Sequence, residues 1–282
     1  LKKITMQFSI DTIYHAAAYK HVPLMEANIL QCISNNVFGT LNLSEQAIRS
    51  NVKNFILIST DKAVNPTNFM GASKRLAELI CQNRARSQTF THFSIVRFGN
   101  VLGSSGSVVP LFKQQIEAGG PVTITNKDIT RYFMTIPEAA QLVIQAGAIS
   151  NNGAVFVLDM GKPIRILDLA KKMIALSGRT YSETKDNKAE DQSIGIQVIG
   201  LRPGEKMHEE LSYSKNLINT VHPKILLTDQ NLGAHTDIDA LLEDIGLAVT
   251  SGNDHQLFKT IKSEFKNLTK ADDSLKMFPK TR

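Results

Sequence analysis

The feature that most constrains this chain is the alternation, through its first half, of short apolar runs with stretches of helical periodicity. Residues 12–17, 55–60, 93–98 and 155–158 read as buried strands. Between them, residues 29–50 carry Leu41, Ile48 and their neighbours on one helical face, and 71–86 and 108–118 repeat the helical pattern. Strands separated by whole helices cannot pair as hairpins, so the pattern predicts βαβ units and a parallel sheet. Later the order changes. Small strands are predicted at 122–125 and 133–135, then a helix at 137–148 opened by Pro137, since proline suits a first helical turn. A helix is predicted at 166–177, a polar surface loop at 179–193, a strand at 196–199, helices at 237–249 and 255–265, and a frayed tail at 269–282.

A dinucleotide-binding half-sheet opens with a strand, a glycine-rich turn and a helix, because only glycine lets backbone N–H groups close on a pyrophosphate. No such turn stands before Thr12. The expected fold is therefore α/β: a Rossmann-like parallel sheet lacking its first βαβ portion, with a smaller C-terminal α/β substrate-binding part. The expected division is a partial dinucleotide-binding domain over 1–110 and a mainly nucleotide-sugar-binding part over 111–230 that returns elements to the sheet. C-terminal helices over 231–268 and a flexible tail over 269–282 complete it.

With 282 residues, 42% hydrophobic and 21% charged, the composition is that of an ordinary globular protein with a sizeable core. The net charge of +6 comes from scattered Lys and Arg, with the densest basic run at 276–282. With no nucleic-acid module signature, that balance suits an anionic small substrate, and no nucleic-acid partner is expected. Cys32 and Cys81 match no metal or redox spacing and read as buried thiols in a reducing cytoplasm. No apolar run approaches the roughly 18 residues of a membrane span, and no signal peptide is legible. A soluble, cytoplasmic chain without a metal is expected, and homo-oligomer formation is left open.

The residues that invite chemistry follow the strand 55–60: Ser59, Thr60, Asp61 and Lys62, then Met70-Gly71-Ala72-Ser73-Lys74 at a helix start. In open parallel sheets ligands bind beyond the carboxyl ends of the strands, so Thr60, Asp61 and Lys62 would face that crevice. Lys74 stands one helical turn past Met70, on the same face. A hydroxyl, a carboxylate and two amines at one strand end can do acid–base work. Read by themselves, Asp61 and Lys62 serve equally well to cap and solvate a turn, and the three small residues Ala16, Ala17 and Ala18 serve as simple packing.

Several longer motifs carry a family resemblance. These are His15-Ala16-Ala17-Ala18-Tyr19-Lys20-His21-Val22-Pro23, Asn35-Asn36-Val37-Phe38-Gly39-Thr40 and Ser59-Thr60-Asp61-Lys62-Ala63-Val64-Asn65-Pro66. Arg97-Phe98-Gly99-Asn100-Val101-Leu102-Gly103, Thr130-Arg131-Tyr132-Phe133-Met134 and Arg202-Pro203-Gly204-Glu205-Lys206 continue it. In this order they resemble the polysaccharide-biosynthesis (capsule and O-antigen) nucleotide-sugar 4,6-dehydratases, extended short-chain dehydrogenases. The superfamily's Tyr-x-x-x-Lys becomes Met70-x-x-x-Lys74. That change resembles the large membrane-anchored branch of the family, although this chain shows no span of its own.

The resemblance implies a bacterial enzyme using NAD or NADP to dehydrate a UDP-N-acetylglucosamine-type sugar for surface polysaccharide. The sugar is oxidised at C4, water is eliminated across C5 and C6, and hydride returns to C6. Thr60 and Lys74 would handle the C4 hydroxyl, Lys62 would take the C5 proton, and Asp61 would protonate the departing C6 hydroxyl. A thioether is no useful proton acceptor, so Met70 belongs to this catalytic set by position only. Ala16, Ala17, Ala18, Asn36, Lys74 and Phe98 would border the cofactor. Lys20, His21, Asn100, Ser107, Arg131 and Arg202 would meet the substrate, the guanidinium forks taking the diphosphate; residues 107–110 and 122–124 would flank the uracil. A UDP-sugar 4-epimerase and a truncated, non-catalytic UDP-sugar-binding remnant are the alternatives. The Asp61–Lys62 pair argues against the first, because epimerisation needs no elimination catalyst.

Overall fold

A computed structural model describes residues 2–182, 193–213, 216–228 and 237–269. The described residues fall into two compact units: Leu1–Phe98 with Gln141–Asp159 and Glu210–Arg282, and Gly99–Ala140 with Met160–Glu209.

The first unit is built on a six-stranded sheet. Its strands β1 (Thr12–His15), β2 (Asn54–Thr60) and β3 (His92–Phe98) run parallel, and Ala154–Leu158 joins them parallel to β3. This is the Rossmann-like arrangement that the alternation predicts. Two further strands extend the sheet antiparallel beyond Ala154–Leu158, Ile225–Thr228 and then Leu217–Asn219. That hairpin was not expected: the outer strand is three residues long and offers no alternating pattern. In register, Thr60 pairs with Phe98 across the carboxyl ends of β2 and β3.

The long helix Phe69–Ser87 connects β2 to β3 and is buried along most of its length. On the sheet side, Ala77, Cys81 and Ala85 pack with Phe55, Leu57, Phe93 and Ile95. On the other side, Phe69, Leu76 and Ile80 pack with Ile33, Val37, Ile245, Leu257 and Ile261, which come from helices on either side in sequence. A helix apolar on two faces is the sequence's answer to being sandwiched. Because its first turn is held this firmly, whatever projects from that turn is held too.

Three expectations need correcting. The strand predicted over 12–17 ends at His15; beyond it the backbone N–H and C=O of Tyr19 are taken by the Asn36 side chain rather than by a strand. The single helix predicted over 29–50 is Ile29–Ile33, a π-helical turn Ser34–Phe38, and Gly39–Arg49; π-turns recur at functional sites. Part of the loop predicted over 179–193 is sheet, namely Thr180–Ser182 and the start of Ser193–Val198, while 183–192 lie outside the described residues. So do 270–282 of the expected tail, whereas Thr269 is tied by its backbone N–H and its hydroxyl to the Thr67 carbonyl.

In the second unit, Thr180–Ser182, Ser193–Val198 and Val122–Ile124 form a parallel three-stranded sheet. Phe112 and Ile116 of helix Val108–Glu117 and Ile166, Ala170 and Ile174 of helix Ile166–Leu176 pack on Val122, Ile124 and Ile194.

Candidate active site

The first unit concentrates polar groups where β2 ends. Thr60, still extended at φ −143° and ψ 156°, caps a single 3-10 turn, Asp61–Ala63, its Oγ1 accepting from the Lys62 N–H. The same hydroxyl donates to Asp61 Oδ1 at 2.8 Å, and Lys62 Nζ donates to that oxygen at 2.9 Å. Asp61 is fully buried, and its second oxygen, Oδ2, has no hydrogen-bond partner among the described residues. Leaving a buried polar atom unpaired costs about 1–3 kcal/mol, and a hydroxyl brought by a ligand would remove that cost.

This turn rests directly on the start of the long helix. A Cβ on Gly71 would come within 2.3 Å of the Lys62 carbonyl oxygen, so only glycine lets the two backbones meet. Two side chains cap the helix: Asn68 Oδ1 accepts from the Gly71 N–H at 2.8 Å and Glu26 Oε1 from the Phe69 N–H at 2.6 Å. Burial pushes the Glu26 carboxyl up to about 7 against the opposing pull of that hydrogen bond. A carboxyl raised in the fold binds more protons folded than unfolded between its ordinary value near 4.5 and about 7, so its effect on stability declines as pH rises through that window. Glu26→Gln keeps the acceptor and removes the buried charge. It is expected to raise Tm by roughly 3 °C at about pH 8 and to change it little at about pH 4, as measured by thermal melts at both.

Met70 and Lys74 have different surroundings despite sharing a helical face. Met70 is core, packed with Met25, Cys32 and Val22. Lys74 is 6% exposed, and its amine makes no hydrogen bond or ion pair among the described residues. Burial brings it down to about 8, against the opposing influence of Glu78 and Cys81. Its charge in turn adds to burial in lowering the His15 imidazole to about 4. His15 is therefore neutral, with Nε2 at 2.9 Å from Thr40 Oγ1.

Asn36, on the π-turn, uses its whole amide inside the protein. Oδ1 accepts from the Tyr19 N–H at 2.7 Å; Nδ2 donates to the Tyr19 carbonyl and to Ser73 Oγ, both at 2.9 Å. It ties the segment after β1 to the helix position next to Lys74. Ala16 and Ala17 lie exposed on that segment, Ala18 partly so; Lys20 is exposed and His21 half-buried at the start of helix Val22–Glu26. Phe98 is half-buried at the end of β3.

Beneath the strand ends lies a buried ionic cluster that sequence reasoning missed. Glu78 accepts from Arg97 Nε and Nη2, both at 2.6 Å, from Arg75 Nη1 at 3.0 Å and from Ser59 Oγ at 2.7 Å. Burial alone would raise the Glu78 carboxyl, but Arg97 first and then Arg75 and Ser59 hold it at about 2. The signal was present: a strand buried from Phe93 through Arg97 has no place for a charge unless a partner waits for it.

The other predicted substrate residues belong to the second unit. Arg131 is buried: it donates to the carbonyls of Thr130 at 2.7 Å and Met207 at 3.3 Å, and pairs with Glu205 at 3.3 Å and Glu209 at 4.0 Å. Glu205 also accepts from the Arg202 backbone N–H at 3.1 Å, while the Arg202 side chain is exposed. One carboxylate thus brings the two arginine positions together. Asn100 N–H bonds the Tyr132 carbonyl. Ser107 precedes helix Val108–Glu117, its Oγ buried and without a hydrogen bond among the described residues. Among the described residues no group of His, Cys, Asp or Glu is placed to hold a metal ion, and no helix is long and apolar enough to cross a membrane.

The Rossmann-like sheet that ends in Thr60-Asp61-Lys62 and leads into the helix of Lys74 has the fold of the extended short-chain dehydrogenases. Residues 1–230 match the polysaccharide biosynthesis protein family, and the chain belongs to it. It is 51% identical to the capsular polysaccharide biosynthesis protein CapD of Staphylococcus aureus, over 86% of this chain and 39% of that protein. The chain thus spans well under half the length of that relative. It is 38% identical to a UDP-glucose 4-epimerase of Rickettsia canadensis over 74% of this chain and 58% of that one. It is 32% identical to a UDP-N-acetylglucosamine 4,6-dehydratase (inverting) of Campylobacter jejuni over 78% and 64%. Among solved structures, Pen from Bacillus thuringiensis superposes with a TM-score of 0.70 at 37% identity, over 79% of this chain and 68% of that one.

Proposed function

We propose that the chain carries the catalytic residues of a nucleotide-sugar 4,6-dehydratase acting on a UDP-N-acetylglucosamine-type sugar with NAD or NADP. The observation that carries this reading is the Asp61–Lys62 pair: an amine and a carboxylate 2.9 Å apart beyond a central strand, with the carboxylate's other oxygen buried and unpaired among the described residues. An elimination needs one group to take a proton and another to give one on adjacent carbons. A 4-epimerase has no use for such a pair.

The residues present fit a nicotinamide cofactor. Lys74 offers a buried amine with no partner among the described residues, and the exposed alanines after β1 offer a small-residue ledge at a parallel strand's carboxyl end. Ala16, Ala17, Ala18, Lys74 and Phe98 would hold it, with Asn36 fixing the ledge rather than touching it. When bound, the cofactor supplies the acceptor for the C4 hydride and the donor of the same hydride to C6. Thr60 and Lys74 take the proton of the C4 hydroxyl. Lys62 removes the C5 proton, made acidic by the C4 ketone, and Asp61 delivers a proton to the leaving C6 hydroxyl. Lys62 then returns its proton to C5. Lys74 ends with the proton that Asp61 has lost, so one proton passed between them closes the cycle. In this reading Arg131 and Arg202 serve the diphosphate, and Asn100, Ser107, Lys20 and His21 are further substrate contacts.

The test is the product. Incubated with UDP-N-acetylglucosamine and NAD, a full-length protein that carries this chain is expected to release a UDP-4-keto-6-deoxy sugar lighter by one water in mass spectrometry. A product of unchanged mass with inverted C4 would make the chain an epimerase instead.

A further inference from the structure

The turn that carries Asp61 and Lys62 is gripped from a second direction by a segment far along the chain. Tyr213 donates its hydroxyl to the Ala63 carbonyl at 3.1 Å, and two residues after Ala63 the Asn65 side chain donates to Glu210 Oε2 at 2.8 Å. Asn65 itself has φ +43°, a conformation a side chain rarely adopts unless contacts hold it there. On the far side of the turn, Gly71 brings the long helix against the Lys62 carbonyl. The Asp61–Ala63 turn is therefore fixed between the helix and the segment Glu210–Tyr213.

What holds Tyr213 in place is the buried ionic cluster. The Arg75 guanidinium lies 5.2 Å and the Arg97 guanidinium 5.7 Å from the centre of its ring. Glu78 supplies one negative charge to these two cations. A tyrosine ring offers its electron-rich face to a guanidinium cation, and here two guanidiniums seat the one ring.

We infer that Tyr213 is a positioning residue for the elimination step: seated on Arg75 and Arg97, it holds the Asp61–Ala63 turn so that the Asp61 and Lys62 side chains keep their mutual geometry. This rests on the dehydratase reading above. Of the two groups assigned to the C4 oxidation, Lys74 lies on the helix, outside the segment that Tyr213 secures, and Thr60, although it caps the turn, is also held by the ladder of β2. Loosening the turn should slow elimination more than oxidation.

Tyr213→Phe tests this without opening the core, because the residue is 40% exposed and the phenyl ring can stay on both guanidiniums. Backbone amides of residues 61–65 are expected to exchange hydrogen roughly tenfold faster in the variant, the scale of one lost hydrogen bond, with Tm nearly unchanged. During turnover, kcat should fall by about tenfold with KM changed less than about twofold, and reduced nicotinamide should build up in the absorbance trace as it does not in the wild type. Tyr213→Leu, which also removes the ring, should show both effects more strongly together with a lower Tm. Unchanged exchange in both variants overturns the inference. Faster exchange without build-up of reduced cofactor overturns the positioning role as well, since the turn would then be held for stability only. If the wild type dehydrates no sugar, the dehydratase reading fails by itself, and the exchange result alone decides whether Tyr213 secures the turn.

Discussion

Lys74→Ala is expected to lower turnover by about a thousandfold, within the range for removing a positioned acid–base group, whereas Met70→Leu keeps most activity. The two residues sit one helical turn apart, so the contrast isolates chemistry from placement. The Lys74 amine is buried and brought to about 8 mainly by that burial, so a useful fraction is neutral near physiological pH. Only the neutral amine accepts a proton. The kcat/KM of the wild type should therefore rise with pH through about 8 and then level off. Lys74→Arg, which has no neutral form at any such pH, should be as inactive as Lys74→Ala. Met70 touches Met25, Cys32 and Val22, and leucine of similar volume in that place costs under about 1.5 kcal/mol. A folded but inactive Met70→Leu beside an active Lys74→Ala would show that the C4 proton leaves by another route. Loss of Lys74 is also expected to weaken nicotinamide binding, measurable by calorimetry.

Lys62→Ala and Asp61→Asn are expected to lower formation of the 4-keto-6-deoxy product by a hundredfold or more, on the order of a lost general base or acid, while binding of UDP changes little. The variants differ in what they leave behind. Lys62→Ala strands a fully buried carboxylate with only the Thr60 hydroxyl left beside it among the described residues, so a fall in Tm should accompany the kinetic loss. Asp61→Asn keeps the shape and the hydrogen bond from Thr60 but cannot give up a proton, and its Tm should stay close to the wild type. Wild-type product rates from both variants would remove the pair from the mechanism and with it the case against an epimerase.

Much of this was legible in the chain itself. Apolar runs of strand length separated by helical periodicity determine the parallel sheet, because the period of the pattern is the period of the backbone. The same reading placed Thr60, Asp61 and Lys62 at a strand's carboxyl end and Lys74 one turn into the following helix, as the structure has them. These groups lie within a few residues of the elements that carry them. Gly71 was legible as part of a motif, yet its reason, the close approach of the Lys62 carbonyl, is a contact between two elements.

The tertiary structure decided which polar groups are spent inside and which remain for chemistry. Asn36, expected to border the cofactor, is buried on a π-turn and engaged by Tyr19 and Ser73. Arg131, expected to meet a diphosphate, is also held by Glu205 and Glu209. Arg97 meets Glu78 19 positions away, and Tyr213 meets Ala63 across 150. No local period encodes such pairings: a buried charge must find a partner, but only the folded chain decides which distant residue arrives beside it.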